Sequence, residues 1–387
     1  MNERNLVIGI YYHPEAYPPT LNAVQMLSES FSEITIVHRP HLNDKWQYPS
    51  NVRTIPSGSF ITSKEQEQSS VVRKVGFFWQ FTNDLLRAIR AKKPSVVLLY
   101  DVHALFAYKL IRPLIGKHFA WYHNHDVSEL SRERRFSIGW FAVKSEKRLF
   151  SKLDMFTLPS AERLRFFPLE NFKGQYFVIP NYPSLKFYGS FFKLRLPDSQ
   201  IRLLFQGRIG EGHGLEEIIK LLHKKVAGKD LHLVLKGFCD QEYKEKLLRL
   251  ATEYNVADKV SFIGFTPYEE VPRIAATCHI GIGIFSKRET MHVTLGTASN
   301  KLYEYAAVGL PIIYLNEDHF NHYLKNYTWA FPVDLNENSI LNAVGSIVDN
   351  YAGYSNAANK SFRESLNFEK SFKPVLDYIS TQKTLTK

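Results

Sequence analysis

The sequence predicts an α/β protein built from two doubly wound parallel-sheet domains. Three observations predict it. Strand-length apolar runs alternate with amphipathic helical segments along most of the chain, the order that builds a parallel sheet with helical crossovers. The apolar run CHIGIGIF (278–285), a short helix within 297–311 and PIIYL (311–315) give that strand, helix, strand unit in compact form. The chain has 387 residues, enough for two domains that each bury a core.

The elements follow in order. In a first domain, 1–181, residues 6–12 read as a strand, and HPEAYPPT (13–20) as a loop stiffened by three prolines. Residues 21–31 read as a helix and 34–38 as a strand. The polar segment 41–75 reads as a loop-rich excursion, and 71–91 as a basic amphipathic helix. SVVLLY (95–100) reads as a buried strand, followed by Asp101, Val102 and His103, then a helix over 104–115. A strand at 119–122 ends in His123, Asn124, His125 and Asp126. Residues 128–153 read as a basic amphipathic helix. A strand (155–158), a helix start (160–167) and a strand (176–179) close the domain. Residues 182–200 carry prolines and aromatics without periodicity and read as a linker.

The second domain, 201–355, opens with a strand (201–206) and a glycine-rich loop (207–214). It continues with a helix (215–224), a strand (231–236), a helix (241–254), a strand (260–264) and a helix (266–276). The compact unit follows. Thr297 or Ser299 can cap its helix, and Gly309 with Pro311 ends it. A strand (329–333) and a helix (337–351) complete the domain. A terminal segment, 356–387, contains a helix over 357–381.

Two constellations carry chemistry. Lys301 and Glu304 lie three residues apart on one helix face. The helix start at Ser299 and Asn300 offers free N–H groups and the positive end of the dipole, a natural phosphate site. Glu304, one turn in, is an acceptor-only carboxylate that can engage both hydroxyls of a ribose. The bland alternative is an ordinary surface Lys/Glu pair. In the second constellation Gly207, Gly210, Gly212 and Gly214 sit between a strand and a helix, so the backbone can approach phosphate. Arg208 adds a guanidinium fork matched to phosphate oxygens. The dinucleotide pattern G-x-G-x-x-G is not met, because the glycines run G-x-G-x-G.

Lys and Arg number 49 against 38 Asp and Glu, a net charge of +11 that favours partners carrying phosphate. Nucleic acid is not expected, because no motif for it is present. Residues 128–153 interleave Arg132, Arg134, Arg135, Lys144, Lys147, Arg148 and Lys152 with aromatics. They read either as a solvated helix over a normal core or as a face against an anionic membrane. Two isolated cysteines point to a reducing compartment. No apolar run reaches the ~18–20 residues that span a bilayer. The expected location is the cytoplasm, with peripheral attachment at the inner face of the membrane. His123 and His125 point to one side of a strand. No further ligand pair stands nearby, so no metal is expected.

Lys301, Glu304, Tyr305, Ala307, Gly309, Pro311 and Ile313 fit K-x-x-E-Y-x-A-x-G-x-P-V-I. With GIGIF before it, this stretch resembles the nucleotide-sugar segment of group 1 glycosyltransferases of the GT-B fold. The resemblance implies two Rossmann-like domains facing a central cleft, with the C-terminal helix crossing back to the first. It implies transfer of a sugar from a UDP- or GDP-linked donor to a glycan or lipid-linked hydroxyl acceptor in cell-surface polysaccharide or glycolipid synthesis, with retention. No cofactor is implied. Gly207, Arg208, Gly212, His213, Ser299, Asn300, Lys301 and Glu304 become the donor residues, with His213 where the family carries a Lys and Lys287 or Lys301 as replacement charge. His125 and Asp126 resemble the family's catalytic "H-D", with His123 as substitute. The family's first loop is glycine-rich; here it has no glycine, so His13, Glu15 or Tyr17 take the acceptor side. The family's Glu-x7-Glu pair is absent, since Gly296 stands at its first position. Its contacts pass to backbone groups around 294–297 or to Glu289. The alternative is a non-catalytic nucleotide-sugar-binding or partner subunit on the same fold.

Overall fold

The computed structural model describes residues 4–40, 46–60, 65, 69–287 and 290–382. Glu289 lies outside them. The chain divides into two compact units, residues 1–180 with 372–387, and residues 181–371.

The first unit is a parallel sheet in the order β3-β2-β1-β4-β5-β6-β7, with β1 Asn5–Ile10, β2 Glu33–His38, β3 Val52–Pro56, β4 Val96–Tyr100, β5 Phe119–His123, β6 Met155–Leu158 and β7 Gln175–Val178. The helices α1 Pro18–Leu27, α2 Val71–Lys92, α3 Asp101–Ile111 and α4 Ile138–Leu149 connect the strands. β1, β4 and β5 are almost wholly buried. Their continuous apolar runs therefore carry no alternation. The strand that the sequence hides is β3, inside the span read as loop. Among the described residues it pairs only with β2 and is half exposed, so its apolar pattern is thin. The basic span 128–153 is not one helix. A 3-10 turn at Leu130–Arg132 precedes α4, which begins only where the Ser137 hydroxyl caps it by accepting from the Trp140 N–H at 3.1 Å.

The second unit is a sheet in the order β11-β10-β8-β12-β13-β14. Its strands are β8 Gln200–Gln206, β10 Lys229–Lys236, β11 Val260–Gly264, β12 Ile280–Gly283, β13 Ile312–Leu315 and β14 Ala330–Val333, all parallel. A two-residue strand, β9 Lys225–Val226, pairs antiparallel with β10. The helices are α5 Leu185–Tyr188, α6 Leu215–Leu221, α7 Gln241–Glu253, α8 Val271–Ala275, α9 Thr290–Val293, α10 Asn300–Ala307, α11 Asp318–Leu324, α12 Glu337–Asp349, α13 Tyr351–Glu364 and α14 Phe368–Thr381.

Three differences from expectation have local causes. Residues 182–200, read as a linker, contribute α5 to the second unit, with Tyr188 wholly buried in its core. α11 is too short for a visible period. The helix expected over 357–381 is two helices, because Asn367 interrupts it. Its Nδ2 donates to the Phe362 carbonyl at 2.9 Å and its Oδ1 caps α14 by accepting from Lys370 N at 3.0 Å. From Phe372 onward α14 belongs to the first unit, where Phe372 lies 6.2 Å from Trp121.

α10 packs tightly on β12. A Cβ at Gly281 would stand 2.3 Å from the Tyr305 ring, and one at Gly283 would stand 2.3 Å from a Leu302 methyl. Gly281→Ala should therefore overpack this seam and cost about 1–3 kcal/mol in urea unfolding, with the m-value unchanged. A wild-type midpoint would show that the helix can move off the strand.

Candidate functional site

Both sheets reverse direction of winding once. The reversal lies between β1 and β4 in the first unit and between β8 and β12 in the second. Ligands of open α/β sheets bind at the carboxyl ends of the strands at such a point. The loops that the sequence singles out leave those ends.

In the second unit the loop after β8 and the start of α10 meet. The Gln206 backbone N–H donates to the Tyr305 hydroxyl at 2.9 Å, and its side-chain amide donates to Glu304 at 2.6 Å. Lys301 Nζ would lie 3.2 Å from a Cβ on Gly207, and stands 4.0 Å and 4.7 Å from the Phe205 and Phe285 ring centres. The loop after β12 joins them: Ser286 N donates to the Gly212 carbonyl at 2.8 Å, and the Lys287 stem covers Gly212. Gly207 has φ +121° and Gly212 φ +90°, which side-chain-bearing residues resist.

Glu304 is only 6% exposed. Burial pushes its carboxyl up to about 7, against the pull of Tyr188, Lys236, Gln206 and Lys301. Burial also pushes the Lys301 ammonium down to about 7, with Glu304 opposing. Neither group is an ordinary surface charge. Ser299 occupies the cap position of α10 with no side-chain hydrogen bond to the helix. The first-turn N–H groups are therefore not consumed by a side-chain cap. Among the described residues, Gln206 Oε1 and Asn300 Oδ1 are buried without a hydrogen-bond partner. Such atoms cost about 1–3 kcal/mol each and call for an explanation, of which a ligand is one.

Two expected donor residues sit differently. Arg208 turns to solvent, 79% exposed and 3.6 Å from Asp240. His213 is buried, and its Nδ1–H donates to the Ile284 carbonyl at 3.0 Å. Burial and the neighbouring Lys301 push it down to about 3. It is a neutral ring held by the strand end rather than a second cation, and the ammonium groups at this loop belong to Lys301 and Lys287. Residues that sequence reasoning missed also stand here. Lys236 ends β10, is buried and acts electrostatically on Glu304. Phe238 and Phe265 follow β10 and β11 and are 57% and 74% exposed, an unusual pair of bare aromatics at strand ends. Gly237 N donates to the Gly264 carbonyl at 2.9 Å and ties their loops together. A concavity of about 250 Å³ opens beside the β12 loop, lined by Phe285, Ser286, Lys287, Val293, Glu317 and His319.

In the first unit His125 is 3% exposed. The Asp101 carboxylate holds it twice, at the backbone N–H (2.8 Å) and at ring Nδ1 (2.9 Å). Thr20 Oγ1 lies 2.9 Å from Nε2. His123 stands edge-on to it at 4.7 Å, and burial holds that ring well below the usual histidine range. Asp126 is exposed, 3.4 Å from Arg163, whose guanidinium also donates to the His125 carbonyl. His13 is buried, 5.4 Å from the His38 ring, and Glu15 accepts from Trp46 N at 3.1 Å. Thus His123 and His125 share a cluster with Tyr17 and Tyr100. Among the described residues no group of three or more His, Cys, Asp or Glu could hold a metal ion.

Residues 189–364 match the family model described as Glycosyl transferases group 1. No curated protein matches by sequence. Among solved structures, the chain is similar to sucrose-phosphate synthase from Thermosynechococcus elongatus, at 14% identity and TM-score 0.71, over 98% of this chain and 99% of that one. It is similar to HepE from Anabaena, solved with UDP and glucose, at 13% identity and TM-score 0.66, over 98% of this chain and 100% of that one. It is also similar to WaaG, a glycosyltransferase involved in lipopolysaccharide biosynthesis, at 12% identity and TM-score 0.65, over 97% and 100%. The second unit thus carries a group 1 glycosyltransferase domain, the whole chain has the GT-B fold, and the protein is a glycosyltransferase.

Proposed function

We propose that this glycosyltransferase, whose group 1 domain spans residues 189–364, takes a sugar from a UDP- or GDP-linked donor. It passes that sugar to a hydroxyl of a glycan or lipid-linked acceptor in cell-surface polysaccharide or glycolipid synthesis, with retention at the anomeric carbon. The observation that carries the donor reading is the convergence of Glu304, Lys301 and the Gly207–Gly214 loop at one strand-end crossover. Glu304 takes the pentose hydroxyls. Lys301, with the first turn of α10, takes the diphosphate and stabilises it as it leaves, by charge already in place. No metal is needed for that step when an ammonium carries the charge. The uridine ligand of the similar Anabaena protein favours UDP. His125 and Asp126, with His13, Glu15 and His123, take the acceptor side and the reacting sugar.

A thermal-shift panel of UDP, GDP, ADP, CMP and their sugars tests the donor half. One base should stabilise, by about 2.7 kcal/mol at a hundredfold excess over Kd. A flat panel contradicts the reading. Binding without turnover of any nucleotide sugar favours the non-catalytic partner-subunit reading instead.

A peripheral membrane contact is read from the basic span. Arg134, Arg135, Lys144, Lys147 and Arg148 are exposed there, beside a Phe136 ring that is 66% exposed. No helix among the described residues is long and apolar enough to cross a membrane. Sedimentation with anionic vesicles should retain the protein at low salt and release it at high salt. Equal retention on neutral vesicles contradicts an electrostatic contact.

A further inference from the structure

Asp101 is the first residue of α3, directly after β4, at the crossover point of the first sheet. Its φ is +62°, a left-handed conformation that is uncommon for residues with side chains and that aspartate adopts only occasionally. Such strain persists where surrounding structure holds it, and it clusters at functional sites. What the strained backbone achieves is visible. It turns one carboxylate so that Oδ1 accepts the His125 backbone N–H at 2.8 Å while Oδ2 meets His125 Nδ1 at 2.9 Å. The ring is further fixed by stacking against Tyr17 at 4.2 Å and Tyr100 at 4.8 Å, both within 16° of parallel. Thr20 Oγ1 stands at Nε2, 2.9 Å away.

A carboxylate accepts and cannot donate, so Nδ1 must carry a proton. In the neutral ring the proton is then absent from Nε2, and Thr20 donates to it. We propose that Asp101 is a positioning residue. It clamps the backbone and ring of His125 in one tautomer, so that Nε2 is presented as an acceptor for a hydroxyl: that of Thr20 in this structure, and that of the substrate during transfer. The inference rests on His125 as a substrate-contacting residue and adds what sets its proton.

Asp101→Asn tests it. Asparagine tolerates the left-handed backbone and can still accept the His125 N–H. Its amide, however, donates to Nδ1, which forces the proton to Nε2. Transfer kcat should fall at least about 100-fold, with nucleotide affinity and thermal midpoint close to wild type. Nitrogen-15 NMR of histidine-labelled protein reads the proton directly: Nδ1 protonated in the wild type, Nε2 protonated in the variant. A wild-type ring protonated on Nε2 alone overturns the proposal, and this measurement does not depend on the variant folding. Wild-type turnover in Asp101→Asn, with His125→Gln inactive, also overturns it. Full turnover in His125→Gln instead overturns the parent reading of His125.

Discussion

Glu304→Ala should weaken binding of the preferred nucleoside diphosphate by about 1.5–3 kcal/mol, the range for hydrogen bonds to a charged group. Calorimetry would read this as a loss of roughly 10- to 150-fold. The carboxylate is 6% exposed and takes one hydrogen bond from Gln206, at 2.6 Å on Oε2. Water competes poorly in such a place, so pentose hydroxyls that donate to it keep most of their energy. The pH dependence carries a definite sign. The carboxyl is held up at about 7 by burial, so affinity should fall as pH drops through that value and the acceptor becomes a donor. Stability behaves in the opposite sense. Between the ordinary carboxyl value of 4.5 and about 7 the folded chain binds more protons at this site than the unfolded chain, so stability falls as pH rises through that window. Glu304→Gln should remove both slopes. Unchanged nucleotide affinity in Glu304→Ala would contradict the pentose contact.

Lys301→Ala should cost transfer about 10²- to 10³-fold in kcat, the usual loss when one preorganised charge is taken from a developing anion. The ammonium rests on the Phe205 and Phe285 faces at 4.0 and 4.7 Å and is lowered from 10.5 to about 7 by burial. A cation stripped of water in this way has much to gain from phosphate oxygens. Bound diphosphate raises its pKa again, so above pH 7 binding should take up a proton. Calorimetry at pH 8 in buffers of different ionisation enthalpy should show that uptake in the wild type and lose it in Lys301→Ala. Equal uptake in both would move the charge to another group.

The two sheets were largely legible because each buried strand writes an uninterrupted apolar run, as in Val96–Tyr100 and Ile312–Leu315. β3 and α5 were not. The first is a half-exposed edge, and the second is four residues whose burial is decided by tertiary contacts. At the candidate donor site Lys301 and Glu304 were visible from helical spacing, and the structure adds that both are desolvated. Lys236 could not be seen, since a lysine at a strand end looks like any solvated terminus until its strand is placed beside α10. His213 could not be told from a phosphate ligand, because its neutrality comes from burial and from the Lys301 ammonium that the fold brings beside it. Asp101 was visible only as a strand-end acid. Its left-handed backbone, the feature that matters, is one that aspartate adopts only occasionally, and nothing in the flanking sequence marks it.

The grip of Glu304 on the pentose can be isolated by a double cycle: calorimetry of the preferred nucleoside diphosphate and its 2′-deoxy analogue on wild type and Glu304→Ala. The wild type should lose affinity for the deoxy ligand, and the variant should bind both ligands alike. A variant that still discriminates as the wild type does would place the pentose elsewhere and contradict the assignment of this carboxylate.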